Sequence, residues 1–208
     1  MSNLAPEVTR LVLGPLQTNC YLLVSPPDRS AMVIDPADDA ERITKAAQSK
    51  GARIDQILLT HAHPDHIAAL PDLRRATGAT VLLHRLDADL LRRHGRAYGI
   101  RDQQLSELLP DVYLEGNEEL RIGQLTGTVI HTAGHTPGSI TLRVGDLLFT
   151  GDTLFAQEVG RVDLPGGQPQ SLLQSIQRLF ALPDECTIFP GHGPSSTIAA
   201  EKRDNPYV

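Results

Sequence analysis

A chain of 208 residues with 40% hydrophobic and 21% charged side chains has an ordinary globular balance and enough length to bury a substantial core. Its formal net charge of -6 argues against a nucleic-acid backbone as partner, and no apolar run approaches the length of a transmembrane helix. The opening Met-Ser-Asn-Leu-Ala-Pro-Glu lacks a basic region and an apolar core, so no secretory signal is visible and a reducing cytoplasm is the expected home.

In chain order, short strands fill the first third, at 8–13, 19–24 and 31–34, separated by turns at Gly14-Pro15 and Ser25-Pro26-Pro27-Asp28. A helix is predicted over 39–50, capped by Asp38 or Asp39 and followed by Gly51. The apolar run 54–59 reads as a buried strand, 71–76 as a short helix, 80–84 as a strand, and 87–93 as a helix closed by His94-Gly95. Residues 96–110 have weak periodicity, compatible with a mobile surface segment or another short helix. Strand patterns return at 120–122, 126–132, 140–144 and 147–150. Leu172, Leu173, Ile176, Leu179 and Phe180 form the apolar stripe of a helix over 169–182, and 187–189 is a last strand. Cys20 and Cys186, without a CxxC pair, are expected as buried thiols. Strand clusters in both halves, each with helices, predict two sheets packed face to face with helices outside. That arrangement gathers the strand-end loops at one edge.

The densest chemistry lies at 60–66, Thr-His-Ala-His-Pro-Asp-His. His61 and His63, two apart in extended chain, point to the same side, and Pro64 suits a helical first turn that swings Asp65 and His66 back toward them. Imidazole and carboxylate are donors for zinc and related divalent metals, whereas the plain alternative is a polar turn with unrelated histidines. His135, Asp152 and His192 each stand in a Gly- or Pro-rich turn beside a strand, where the backbone bends sharply and exposes the donor. A single histidine in such a turn is more often a surface residue, but five of the eight histidines fall in these segments. Asp35, at a strand end, either accepts a hydrogen bond from the histidine loop or stands as an exposed turn aspartate before Pro36. His84 and His131 are expected as satisfied structural histidines, and His94 as a helix C-terminal residue on the last carbonyls. Arg161 either meets a substrate carboxylate or pairs with Asp163, the pairing being favoured.

His61-Ala62-His63-Pro64-Asp65-His66, followed by His135, Asp152 and His192, resembles the binuclear metal signature of the metallo-β-lactamase superfamily. The resemblance covers nearly the whole chain and implies an α+β fold, the four-layer αββα sandwich, as a single domain over 1–208. It also implies two divalent metal ions, zinc first, with iron or manganese as alternatives. Residues matching His61, His63 and His135 hold one metal in that family, those matching Asp65, His66 and His192 the other, and the match to Asp152 bridges both. An aspartate at 152, where many true β-lactamases carry a cysteine, argues against antibiotic hydrolysis.

The segments Leu58-Leu59-Thr60-His61, Gly134-His135-Thr136-Pro137-Gly138, Gly160-Arg161-Val162-Asp163 and Pro190-Gly191-His192-Gly193-Pro194 look like the glyoxalase II branch. That branch implies a thioesterase for hydroxyacylglutathiones such as S-D-lactoylglutathione, with a metal-bound hydroxide as nucleophile and Asp65 as both ligand and catalytic residue that orients it. The C-terminal helical domain with which full-length members grip glutathione has no counterpart before Val208, so glutathione recognition does not carry over. The expected partner is a small-molecule thioester or ester, with no nucleic acid and no membrane, and the oligomeric state is left open. A persulfide dioxygenase-like oxidoreductase, with one iron on His61, His135 and Asp152, is the alternative. An RNA-processing nuclease is disfavoured by the acidic balance, and a non-catalytic binding protein by the intact donor set.

Overall fold

Strands with both faces buried need two different cores, and neighbouring residues in this chain divide between them. The computed structural model describes residues 5–97 and 108–208. Its first sheet has the order β1 (Glu7–Leu13), β2 (Thr18–Val24), β3 (Ser30–Ile34), β4 (Arg53–Leu59), β5 (Thr80–His84) and β6 (Val112–Leu114). β1, β2 and β3 pair antiparallel, and β3 to β6 run parallel. Leu22, Val33, Ile57 and Leu59 face outward against α1 (Ala40–Ser49), α3 (Leu70–Thr77) and α4 (Ala88–Ala97), through Ile43, Ala47, Leu70, Leu73 and Leu91. Tyr21, Leu23, Met32, Ile34 and Leu58 point the other way. This is the two-residue period of a strand read on two buried faces.

The second sheet has the order β14 (Ser196–Thr197), β13 (Thr187–Pro190), β10 (Leu147–Gly151), β9 (Ile140–Val144), β8 (Leu125–His131) and β7 (Glu119–Ile122). Only the β10–β13 pair is parallel within it. Its inner face sends Ile122, Val129, Ile140, Leu142 and Phe149 against the first sheet. Its outer face packs Leu148 and Ile188 under Leu179 of α5 (Pro169–Phe180) and Ile198 of α6 (Ile198–Asp204). Helices, sheet, sheet and helices make the expected αββα sandwich.

Several elements depart from the sequence expectation. α4 continues to Ala97, beyond His94-Gly95, and residues 98–107 of the weakly periodic stretch lie outside the described residues. β6, β14 and the ribbon of β11 (Leu154–Phe155) and β12 (Glu158–Val159) are two or three residues long, too short for a periodic signal. α6 begins where the Thr197 hydroxyl accepts from the Ala200 amide, a cap recognisable only once the helix is known. Leu173 on α5 is 46% exposed, while Ser175 takes the buried position and donates to the Ala133 carbonyl. Both cysteines are buried, as expected.

Candidate metal centre

β4 ends at Leu59, and Thr60 then anchors the histidine loop. Its amide and its hydroxyl both donate to Asp35, at 2.7 Å each, and its carbonyl accepts from Ile140 of the facing sheet at 2.9 Å. Asp35 is 2% exposed, which decides between the two readings of this residue: it is a buried acceptor for the histidine loop. His63 precedes a single helical turn, α2 (Pro64–Ile67), with Pro64 at its start, and that turn brings Asp65 and His66 round as the spacing predicts.

The other three donors arrive from the second sheet. His135 lies in the β8–β9 connection, Asp152 directly follows β10, and His192 is separated from the end of β13 by Gly191 alone. Asn19 of β2 grips the last of these loops: its amide hydrogen-bonds the Gly191 carbonyl at 2.7 Å, and its side chain reaches the Pro190 and Gly193 carbonyls at 2.8 and 2.9 Å. The Tyr21 hydroxyl also donates to Pro190, at 2.7 Å, while its ring packs edge-on to Phe149 and Phe189. Gly191 admits no side chain, since a Cβ there would collide with Asp152 Oδ1 and His66 Cε1.

All seven sequence-predicted donors meet. Ligand atoms of His61, His63 and His135 lie within 4.8 Å of one another, as do those of Asp65, His66 and His192. Asp152 stands between the two groups, with Oδ1 3.3 Å from His66 Nε2 and Oδ2 3.6 Å from both His135 Nε2 and His192 Nε2. Asp35, His61 and His66 form a third close group, but both Asp35 oxygens are already used by Thr60 and His66.

The hydrogen bonds choose which imidazole nitrogen is free. His66 Nδ1 bonds Asp35 Oδ2 at 2.9 Å, His135 Nδ1 bonds the Arg161 carbonyl at 2.8 Å, and His61 Nδ1 lies 3.1 Å from the Thr60 hydroxyl, which itself donates to Asp35. A carbonyl, a carboxylate and a hydroxyl already committed as donor can only accept, so each ring carries its proton on Nδ1. The Nε2 lone pairs are left pointing inward. His61 Nε2, His66 Nε2 and Asp152 Oδ1 are buried with no hydrogen-bond partner. Buried unpaired polar atoms are costly, and their convergence with His63 Nδ1, 2.8 Å from His135 Nε2, fits a cation-binding centre.

Electrostatics divide the histidines. Burial, with His66 and His135 alongside, holds His61 well below the ordinary imidazole range, and burial takes His63 down to about 4. Both are neutral at pH 7 with a lone pair to give. For His66, burial is outweighed by the Asp152 and Asp35 carboxylates, which raise it well above the ordinary value. His192 is raised against burial by Asp65 and Asp152. Burial pushes Asp65 up, but the His192 imidazole, the His66 charge and the Thr18 hydroxyl, 2.9 Å from Oδ2, hold it far below the usual carboxylate range.

Of these donors His63, Asp65, His135, Asp152 and His192 line a cleft of about 670 Å³ whose apolar walls include Leu16, Leu90, Phe155, Val159, Leu164 and Pro165. The sequence profile described as the metallo-beta-lactamase superfamily matches residues 13–192. The chain belongs to the metallo-β-lactamase superfamily.

Among its relatives in this superfamily is the probable metallo-hydrolase YqgX of Bacillus subtilis (strain 168), 36% identical over 96% of both chains. The hydroxyacylglutathione hydrolase GloC of Haemophilus influenzae (strain ATCC 51907 / DSM 11121 / KW20 / Rd) is 33% identical, over 92% of this chain and 93% of its own. Three solved structures are similar: BLEG-1 B3 metallo-beta-lactamase (TM-score 0.87, 35% identity, 97% of this chain and 99% of that one), TTHA1623 in a di-iron-bound form (0.81, 37%, 97% and 100%) and ETHE1 from Myxococcus xanthus (0.83, 32%, 96% and 83%). Superfamily membership and the clustered His and Asp donors imply bound divalent metal ions. No helix among the described residues is long and apolar enough to cross a membrane.

Other residues of this metallo-β-lactamase superfamily chain take places the sequence did not define. Arg161 forms a bidentate pair with Asp163, at 2.7 Å for both bonds, as favoured, and its carbonyl orients His135. His94 does not cap α4: its Nδ1 bonds the Ala62 carbonyl at 2.7 Å, inside the histidine loop. His84 and His131 stack at 4.1 Å, yet His84 Nε2 has no hydrogen-bond partner, so His84 is only half satisfied. Thr18, Asn19 and Asp87 were missed, because nothing local to them marks a contact with residues more than 40 positions away.

Proposed function

We propose that this chain is a metal-dependent hydrolase that cleaves a small thioester of the hydroxyacylglutathione type. The observation carrying the reading is the convergence of seven His and Asp donors, two of them imidazoles with buried, unpartnered nitrogens, beside an apolar-walled cleft that the other five line. His61, His63 and His135 would hold one divalent ion, Asp65, His66 and His192 the other, with Asp152 between them. When bound, such ions lower the pKa of water and polarise a carbonyl oxygen. Zinc suits this nitrogen-rich set, and iron or manganese suits it as well; the similar di-iron structure supports the iron option.

The residues of the chain supply the rest. Asp65, held ionised chiefly by the His192 and His66 imidazoles and fixed by the Thr18 hydroxyl, accepts a hydrogen bond from the attacking water and so orients it. Arg161, Asp35 and Thr60 hold the imidazoles of His135, His66 and His61 in the inward-facing tautomer. The apolar wall from Leu90, Phe155 and Val159 excludes water from the bound acyl group. A thiolate leaves readily, so thioester cleavage needs no dedicated general acid. The relationship to GloC supports the substrate class.

Metal analysis with a parallel substrate panel tests this reading. About two equivalents of metal per chain and chelator-sensitive hydrolysis of S-D-lactoylglutathione are expected. A metal-replete protein inert on thioesters and esters would contradict it. Oxygen uptake with glutathione persulfide would instead favour a single-iron oxidoreductase using His61, His135 and Asp152, and hydrolysis of a β-lactam would favour the activity named for BLEG-1.

A further inference from the structure

Asp87 is fully buried at the end of a 3₁₀ turn over Arg85–Asp87, and no step of hydrolysis uses it. Its carboxylate instead joins two loops that are distant in sequence. Oδ2 accepts from the Ala62 amide at 3.0 Å and from the Thr136 hydroxyl at 2.8 Å, and Oδ1 accepts from the Gly138 amide at 2.7 Å. Ala62 separates His61 from His63, and Thr136 follows His135. The three bonds therefore grip both loops that carry the three-histidine half of the centre.

Two further contacts make the clamp rigid. Ala62 is held on its other side too, where His94 Nδ1 meets its carbonyl at 2.7 Å. Gly138 sits so close that a Cβ would lie 2.6 Å from Asp87 Oδ1, so the backbone approach requires glycine. Thr136 is locked in turn by Ser139, whose hydroxyl is 3.0 Å from the Thr136 amide and 2.8 Å from its side-chain oxygen. Asp65, His66 and His192 receive nothing from Asp87.

We propose that Asp87 is a positioning residue that sets the spacing of the 61–63 and 135–138 loops and thereby the metal affinity of the His61, His63 and His135 half alone. The inference rests on the two-metal reading above. An amide in place of the carboxylate keeps the volume but turns one acceptor into a donor facing a donor, which breaks one side of the clamp.

The test is chelator competition on the zinc-loaded full chain, counting metal equivalents retained, for wild type, Asp87→Asn, Thr136→Val and Thr136→Ser, with His192→Ala marking the other half. Wild type should retain two equivalents at a chelator concentration where Asp87→Asn retains one, a weakening of roughly 10–100-fold confined to one site. Thr136→Val should shift the same equivalent by less, and Thr136→Ser, which keeps the hydroxyl, should restore it. Asp87→Asn combined with His192→Ala should retain none. Asp87→Asn holding both equivalents like wild type, or losing both together, overturns the proposal. Should Asp87→Asn fail to fold, equal retention by Thr136→Val and Thr136→Ser overturns it. A wild type that never binds two equivalents fails the two-metal reading itself, a result visible before any variant is made.

Discussion

The Asp35 carboxylate accepts three hydrogen bonds, from the Thr60 amide, the Thr60 hydroxyl and His66 Nδ1, and so decides which nitrogen of His66, and through Thr60 of His61, faces the centre. Asp35→Ala is expected to weaken metal binding by roughly 10–100-fold, read by chelator competition, because the rings lose their fixed tautomer. Gly191→Ala acts by volume, since its methyl group would displace Asp152 and His66. The expected result is loss of at least one metal equivalent by elemental analysis, with the circular dichroism spectrum unchanged. A pH dependence follows from His66 and His192, both raised above the ordinary imidazole value in the metal-free chain. The carboxylates beside each ring favour its protonated form, and that form must give up a proton before it can ligate. Metal affinity should therefore rise with pH, and binding should release protons, measurable by titration calorimetry in buffers of different ionisation enthalpy.

At the scale of elements, β4, β10 and β13 deliver donors because Leu58, Phe149 and Phe189, near their ends, are held in the core between the sheets. Phe149 sits in that core with no exposure, edge-on to Tyr21 and stacked on Phe189, three residues before Asp152. Phe149→Ala should cost about 3–5 kcal/mol of stability, read from the urea midpoint. Much of this layout was legible in the sequence. β-branched and leucine-rich runs with turn residues between them marked most strands, and the turns at His135, Asp152 and His192 marked where donors emerge. Short elements were not legible: β6 and β14 gain their regularity from the strand beside them rather than from their own pattern. Asp87 and Thr18 were invisible for a related reason, as each acts across the fold on a residue that no local pattern names. His94 misled because its position near a predicted helix end suggested a cap, when its partner is the Ala62 carbonyl.

For the whole molecule, the two sheets act as the arms of a clamp: the first contributes His61, His63, Asp65 and His66, the second His135, Asp152 and His192. A ligand that joins both sheets stabilises the native state alone, by about 4.1 kcal/mol at a free concentration 1,000 times its Kd. Metal loading should therefore raise Tm in a concentration-dependent way, and chelation should reverse it. The central claim, a two-metal hydrolase, is tested most directly by titrating zinc into the metal-free chain while following S-D-lactoylglutathione hydrolysis on the same sample. Activity rising with bound metal and levelling near two equivalents is the predicted result. Saturation of both equivalents with no thioester cleavage would contradict it.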